Sequence, residues 1–90
     1  MLMSDYELVR IEFYSPNGLQ QEMLLNRGVL TFGLCITTIV ENIKFSTNVI
    51  KVYKVIDNKC VSHFDFEVCY FDMNQLRLLQ QFLEGVDLHV

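Results

Sequence analysis

The chain has 90 residues, 51% of them hydrophobic, with seven Lys and Arg against eleven Asp and Glu, giving a net charge of −4. This length allows one domain with one core, and the high apolar content with a single proline excludes a disordered chain. Because the basic residues are scattered and an acidic surface repels phosphates, the composition disfavours nucleic-acid binding and permits a basic protein partner.

Three cysteines, Cys35, Cys60 and Cys69, cannot all pair within one chain, and their spacing fits no zinc motif. We expect buried, reduced thiols, as in a cytosolic protein. No apolar stretch approaches the ~20 residues needed to span a bilayer, and the first five residues lack the pattern of a signal peptide. The sequence therefore predicts a cytoplasmic chain that does not enter a membrane.

The first predicted element is a strand over Tyr6–Tyr14. Val9, Ile11 and Phe13 recur at every second position, so they share one face of this strand. The segment Ser15–Gly18 then predicts a tight turn, because its proline presets one turn torsion angle and its glycine accepts a positive one.

A returning strand is predicted over Leu19–Leu25, with Leu19, Met23 and Leu25 on one face. The pattern is less regular than in the first strand. A short helix through residues 20–24 is the alternative, since Gln, Glu, Met and Leu are good helix formers. The sequence leaves this choice open.

A helix is predicted over Thr31–Lys44, with Thr31 as its N-cap. The β-branched run 36–40 and Gly33 lower its helix propensity, but strand alternation fits its apolar positions less well. Cys35 is expected to be a core residue. The apolar positions at helical spacing are Phe32, Ile36, Ile39, Val40 and Ile43.

Two further strands are predicted over Val49–Ile56 and Cys60–Phe71, joined by a tight turn at Asp57 and Asn58. The second of these strands alternates strictly, and we expect its aromatic face to cover the core. That face carries Phe64, Phe66, Val68 and Tyr70, and the opposite face carries His63, Asp65, Glu67 and Cys69.

The last predicted element is a helix that follows this strand directly. Asp72 and Gln75 have the spacing of a capping box, and Phe71 and Leu76 have that of a hydrophobic staple. Gly85 is placed to end the helix. The expected buried stripe consists of Leu76, Leu79 and Leu83, widened by Met73 and Phe82.

The two halves of the chain share an architecture. Laying the second half over the first at an offset of 41 residues aligns the two turns and places Thr31 on Asp72, although few residue identities match. This pseudo-repeat predicts a single α+β domain over residues 1–90 in the order ββαββα. We expect a two-layer sandwich, with a four-stranded antiparallel sheet and two helices on one face.

His63, Asp65 and Glu67 form the sharpest candidate for a metal site or for general acid–base chemistry, because alternate residues of a strand point to one side about 7 Å apart. The favoured interpretation is a solvent-facing polar row, since no further ligand is evident. The sequence therefore predicts no metal, no cofactor and no catalytic residue, and hence no enzyme.

The sheet face opposite the helices is the remaining candidate. Its mixture of aromatic, aliphatic and acidic side chains is typical of a recognition surface, and an ordinary solvated sheet face is the alternative. This face is predicted to carry Leu8, Arg10, Glu12, Tyr14, Glu22, Lys51, Tyr53, His63, Asp65 and Glu67. The residues predicted to contact a partner are Glu12, Tyr14, Glu22, Tyr53, His63, Asp65 and Glu67.

The leading hypothesis is a small acidic, non-catalytic protein that inhibits or neutralises a basic protein partner. Immunity proteins, antitoxins and phage-encoded inhibitors of host defence are of this kind. The alternative is a self-associating assembly module that forms a homodimer, for example through the exposed edge of strand 60–71. An enzyme that uses the His63 row ranks last, and neither nucleic acid nor a membrane is expected as a partner.

Overall fold

The computed structural model describes residues 6–26 and 32–84 of the chain. The predicted α+β class and the order ββαββα are confirmed. A one-turn 3-10 helix precedes the second α-helix. The elements are β1 (Leu8–Ser15), β2 (Gly18–Asn26), α1 (Phe32–Asn42), β3 (Val49–Ile56), β4 (Lys59–Glu67), the 3-10 turn (Val68–Tyr70) and α2 (Met73–Glu84).

The four strands form one antiparallel sheet in the order β2-β1-β3-β4. Each hairpin therefore contributes one central strand and one edge strand. Both tight turns use left-handed backbone: Gly18 has φ 119°, and Asp57 and Asn58 have φ 53° and 65°. Glycine, Asn and Asp tolerate these angles better than other residues, which explains why the chain reverses at these two places.

Both helices contribute to the core on the same side of the sheet, which we call the inner face. β1 supplies Val9, Ile11 and Phe13 to it, and β3 supplies Ile50 and Val52; all five are fully buried. Removing a side chain of this size from water stabilises the fold by roughly 1.5–3 kcal/mol. The helices complete this core with Cys35, Ile39, Leu79 and Leu83.

The start of the sheet is joined to the end of the last helix. The hydroxyl of Tyr6 donates a hydrogen bond to the backbone carbonyl of Leu83, a residue 77 positions away in the chain. The Lys54 ammonium lies over the rings of Tyr6 and Phe82, at 5.1 and 4.5 Å from their centroids. The buried ring of Tyr6 and its hydrogen bond thus connect the segment before β1 to the end of α2.

Each edge strand contains one residue that its neighbouring strand leaves unpaired. In β2 this is Gln20, since Phe13 pairs with Gln21 and Tyr14 pairs with Leu19. The open choice between strand and helix here is resolved as strand. The predicted common face of Leu19, Met23 and Leu25 is wrong at Leu19, which the irregularity places opposite Tyr14, on the face away from the helices.

The corresponding irregularity in β4 falls at Val61, because Lys54 pairs with Ser62 and Val55 pairs with Cys60. Both irregularities lie on strands that expose backbone hydrogen-bonding groups along one side. Bulges of this kind bend an edge strand and make it a poorer template for another strand.

The prediction that a strand continues to Phe71 is wrong. β4 ends at Glu67, and the 3-10 turn that follows leaves Tyr70 68% exposed instead of in the core. Val68 donates its backbone N–H to the Asn48 carbonyl at 2.9 Å, which fixes the start of the turn. The turn brings Phe71 back to the core, where its ring stacks on Phe66 with the centroids 4.4 Å apart.

The N-cap of α2 is confirmed, because the Asp72 carboxylate accepts the backbone N–H of Gln75 at 3.0 Å. Leu79 and Leu83 form its buried stripe with Phe82 packed beside them, but Met73 is exposed, contrary to the prediction. The reason is that Met73 lies six residues before Leu79, which places it about 120° around the helix from that buried position. The proposed helix end at Gly85 lies outside the described residues.

The first helix is also confirmed, although it is shorter than predicted. Cys35 and Ile39 are its buried residues, whereas Val40 is exposed. A helix on a two-layer fold buries only one side, so not all of its apolar positions can reach the sheet. The proposed N-cap, Thr31, lies outside the described residues.

Candidate protein-binding surface

The strand register gathers all seven predicted contact residues on one side of the sheet, away from the helices. We call this side the outer face. Glu12 pairs with Glu22 on one side and Lys51 on the other, and Lys51 in turn pairs with Asp65. The other pairs across this face are Arg10 with Tyr53, Tyr14 with Val49, Tyr53 with His63 and Val49 with Glu67.

The centre of the outer face is a buried carboxylate. Glu12 is only 8% exposed, although it lies on the side that no helix covers. Its Oε1 accepts a hydrogen bond from the Tyr14 hydroxyl at 2.6 Å, and its Oε2 lies 3.2 Å from Arg10 Nε. Neighbouring side chains of the same face therefore remove Glu12 from solvent and compensate its charge at the same time.

Arg10 connects this carboxylate to the edge of the sheet. Its Nε also lies 3.8 Å from Glu22 Oε2, and its terminal nitrogen contacts Cys60 Sγ at 3.0 Å. The buried Nε lacks a hydrogen bond of good geometry, so its contact with Glu12 is an ion pair without a directed hydrogen bond. One guanidinium thereby links residues of the β1, β2 and β4 strands.

Both tyrosines next to Glu12 are held in their neutral form. The hydrogen bond to Glu12, assisted by burial, raises the pKa of Tyr14 to about 12. Burial raises the pKa of Tyr53, and the negative charge of Glu12 adds to this effect. Both hydroxyls remain protonated at neutral pH, and each phenol offers a polar group beside an apolar ring.

The two cations of the outer face lie over aromatic rings. The Arg10 guanidinium is 5.0 Å from the centroid of the Tyr53 ring, and the Lys51 ammonium is 4.9 Å from that of Tyr14. These distances are within the range of cation–π contacts. Both positive charges are therefore held close to the sheet, beside the tyrosines.

The carboxylates of β4 are in a different situation. Asp65 Oδ1 lies 2.8 Å from His63 Nδ1, and Glu67 is exposed at the end of the strand. Within ranges 6–26 and 32–84, no Lys or Arg nitrogen comes within 4.0 Å of Asp65 or Glu67. Negative charge on the outer face is therefore concentrated at the end of β4.

The row formed by His63, Asp65 and Glu67 does not have its predicted even spacing, because His63 turns onto Asp65 and its ring lies 5.6 Å from that of Tyr53. In the part of the chain that the structure describes, no three His, Cys, Asp or Glu side chains are grouped so that they could hold a metal ion.

The cysteines divide into two kinds. Cys35 is fully buried, as predicted, and its burial raises the pKa of its thiol to about 12. The expectation of burial is wrong for Cys60 and Cys69, which are free and exposed. The reason is that Cys60 lies on the side of the sheet away from the helices, beside Arg10, and Cys69 lies on the 3-10 turn.

One feature of this surface was missed by sequence reasoning. The exposed ring of Tyr70 stands beside the end of β4, where it lines a cleft of about 360 Å³ together with Asp65, Glu67 and Gln75. Strand alternation predicts a position in the core for this tyrosine. No local signal marks the change from strand to 3-10 turn, because Val68, Cys69 and Tyr70 are all compatible with a strand.

Comparison of the chain with protein-family models, with curated proteins and with solved structures finds no match. Within the described ranges, neither helix has the length and apolar character needed to cross a membrane.

Proposed function

We propose that this chain is a small, acidic, non-catalytic protein that binds a basic protein partner through its outer face and thereby inhibits or neutralises it. The observation that carries the proposal is the pair of exposed carboxylates, Asp65 and Glu67, beside tyrosines that a buried Glu12 holds in place. Opposite fields accelerate encounter and fix the orientation of two proteins.

Preorganisation is the first support for this proposal. Glu12, Arg10, Tyr14 and Tyr53 are joined by hydrogen bonds, ion pairs and ring contacts before any partner arrives. Side chains that are already ordered lose less conformational entropy on binding, so more of the contact energy is available as affinity. Tyrosine is also among the residues that contribute most at protein interfaces.

The charge balance is the second support, and it selects the class of partner. Among the described residues that the strand register places on the outer face, Arg10 and Lys51 oppose four carboxylates, Glu12, Glu22, Asp65 and Glu67, which leaves a net charge of −2 with His counted as neutral. A single-stranded RNA-binding sheet would need positive charge around its aromatic residues. This face is therefore better suited to a basic protein than to a nucleic acid.

Immunity proteins, antitoxins and phage-encoded inhibitors of host defence are the classes that combine small size, acidity and a blocking role. We place the chain in the cytoplasm, where thiols stay reduced. The exposed free thiols of Cys60 and Cys69 are compatible with that compartment.

The test compares two charge reversals of equal size. Glu67→Lys changes the outer face, whereas Glu41→Lys changes an exposed position of α1 on the helix side. Wild type and both variants are used to capture a partner from the cells that express the chain, and the retained protein is then purified. Its association rate is measured at low and physiological salt, and its own activity is measured with and without the chain.

We expect a basic protein whose association slows as salt rises, whose binding is lost with Glu67→Lys and kept with Glu41→Lys, and whose activity falls on binding. Retention that is independent of salt, or equal loss with both variants, contradicts the proposal. Failure to retain any protein contradicts it as well.

Self-association is the second candidate, favoured by the exposed apolar side chains Leu34 and Val40 on α1. A homodimer in which the β4 edge strands of two copies pair is disfavoured by the irregularity at Val61. Analytical ultracentrifugation of the wild-type chain separates the candidates. A dimer that Leu34→Ser and Val40→Ser dissociate supports this alternative, and a monomer at all concentrations excludes it.

A further inference from the structure

A cleft opens at the corner of the outer face where β4 passes into the 3-10 turn and α2 begins. Its volume is about 360 Å³, enough for a small ligand or a large side chain, and the cleft is open to solvent. A second cleft of about 340 Å³ adjoins it and shares Val49 and Glu67. Glu67 therefore borders both clefts. The first is lined by Val49, Asp65, Phe66, Glu67, Tyr70 and Gln75.

The lining of the first cleft combines apolar surface with hydrogen-bond acceptors. Val49 and the exposed ring of Tyr70 provide the apolar part, and Asp65 and Glu67 provide two carboxylates. An ionised carboxylate only accepts hydrogen bonds, so a group that only donates them is its natural complement. The lining residues include no Lys or Arg that could neutralise the two acids.

The walls of this cleft are fixed by contacts within the chain. Phe66 is buried and stacked on Phe71, with ring planes 16° apart. Asp65 is held by His63 at 2.8 Å, and the turn that carries Tyr70 is fixed by the hydrogen bond from Val68 N–H to the Asn48 carbonyl. An occupant would therefore enter a site whose shape exists before binding.

We infer that this cleft receives the side chain of an arginine on the protein partner. The inference rests on the proposed function and specifies the partner group that this corner recognises. A guanidinium is flat, carries only donors, and can lie on the Tyr70 ring while it donates to Glu67 and Asp65. Lysine offers a point charge without the planar fork, so it fits the combination of ring and carboxylates less well.

The experiment titrates the full-length ¹⁵N-labelled chain with N-acetyl-arginine methylamide and follows the backbone amide signals by NMR. We expect saturable shifts at the cleft, centred on Glu67, Tyr70 and Gln75. The corresponding citrulline derivative has nearly the same shape without the charge, and the lysine derivative has the charge without the flat fork. Both should bind at least about fivefold more weakly than the arginine probe.

A matched pair of variants and one replacement of the aromatic ring locate the site. Glu67→Gln removes one carboxylate of the cleft and should weaken the arginine probe about tenfold. Glu41→Gln makes the same chemical change at an exposed position of α1, on the helix side of the sheet, and should leave the affinity unchanged. Tyr70→Leu keeps an apolar side chain but removes the aromatic ring, and it should also weaken the probe.

Absence of localised shifts, or equal binding of the arginine and citrulline probes, overturns the inference. An affinity that Glu67→Gln leaves unchanged, or preferred binding of the lysine probe, overturns it as well. The proposed function fails separately: if the arginine probe binds but no basic protein is retained, the cleft assignment stands without it. If a basic protein binds the outer face but the arginine probe does not bind, only this inference fails.

Discussion

The two faces of one sheet are organised in opposite ways, although β1 and β3 contribute to both. On the inner face, fully buried apolar side chains pack against two helices. On the outer face, the best-buried charged group is a carboxylate, Glu12, and polar side chains converge on it. The contrast indicates that the inner face supplies most of the stability, whereas the outer face is arranged to hold particular side chains in place.

The largest effect should come from the inner face. Phe13→Ala removes a fully buried ring at the centre of the sheet, and we expect it to lower the free energy of unfolding by about 3–5 kcal/mol. Urea unfolding followed by circular dichroism measures this loss. Leu24→Ala, at an exposed position of β2, is the control and should change stability by less than about 0.5 kcal/mol. Equal losses in the two variants would show that the faces do not differ.

A smaller effect should come from the buried carboxylate of the outer face. Glu12→Gln leaves Arg10 without its nearest negative charge and replaces the acceptor of the Tyr14 hydroxyl. We expect a loss of about 2 kcal/mol, below the range for fully buried ion pairs because Arg10 is partly exposed. Glu22→Gln removes the more distant acid from the same guanidinium and should cost less than about 0.5 kcal/mol. Similar unfolding curves for both variants would contradict the central role of Glu12.

The smallest expected effect is a dependence of the folding stability on pH, confined to alkaline conditions. Folding raises the pKa of Tyr14 to about 12 from its ordinary value of 10.0. Because the folded chain holds the proton more tightly, this stabilisation is complete below about pH 10 and is lost as the pH rises towards 12. Comparing absorbance titrations of wild type and Tyr14→Phe isolates this phenol. Glu12→Gln should return its pKa towards the ordinary value, and an unchanged titration would exclude Glu12 as the cause.

The inner face could be predicted from the sequence, because its signal is local. The alternation of Val9, Ile11 and Phe13 depends only on strand geometry, and the capping role of Asp72 depends only on the next few residues. These patterns predict the wrong face where the backbone departs from regular strand geometry. Leu19 follows an irregularity in β2, and Tyr70 lies on a 3-10 turn, so both were assigned to the wrong side.

For the outer face, the sequence predicts which residues lie on it but not which of their side chains contact one another. Counting alternate positions placed Glu12, Tyr14 and Tyr53 on one side. The burial of Glu12, however, depends on Arg10 and on side chains of β3, which is distant in the chain. The cleft beside Glu67 likewise requires three segments to meet. Contacts between distant segments leave no periodic signal in a single sequence.

The hydrogen bond from Tyr6 to the Leu83 carbonyl has a consequence for how the protein is made. Because β1 is a central strand and its core also includes residues of α2, the segment up to Leu83 must leave the ribosome before the domain can close. Until then the β1–β2 hairpin can form, but its apolar side chains remain exposed to water. A nascent chain of this design is therefore expected to depend on rapid synthesis of the segment through α2, or on a chaperone that shields the first hairpin.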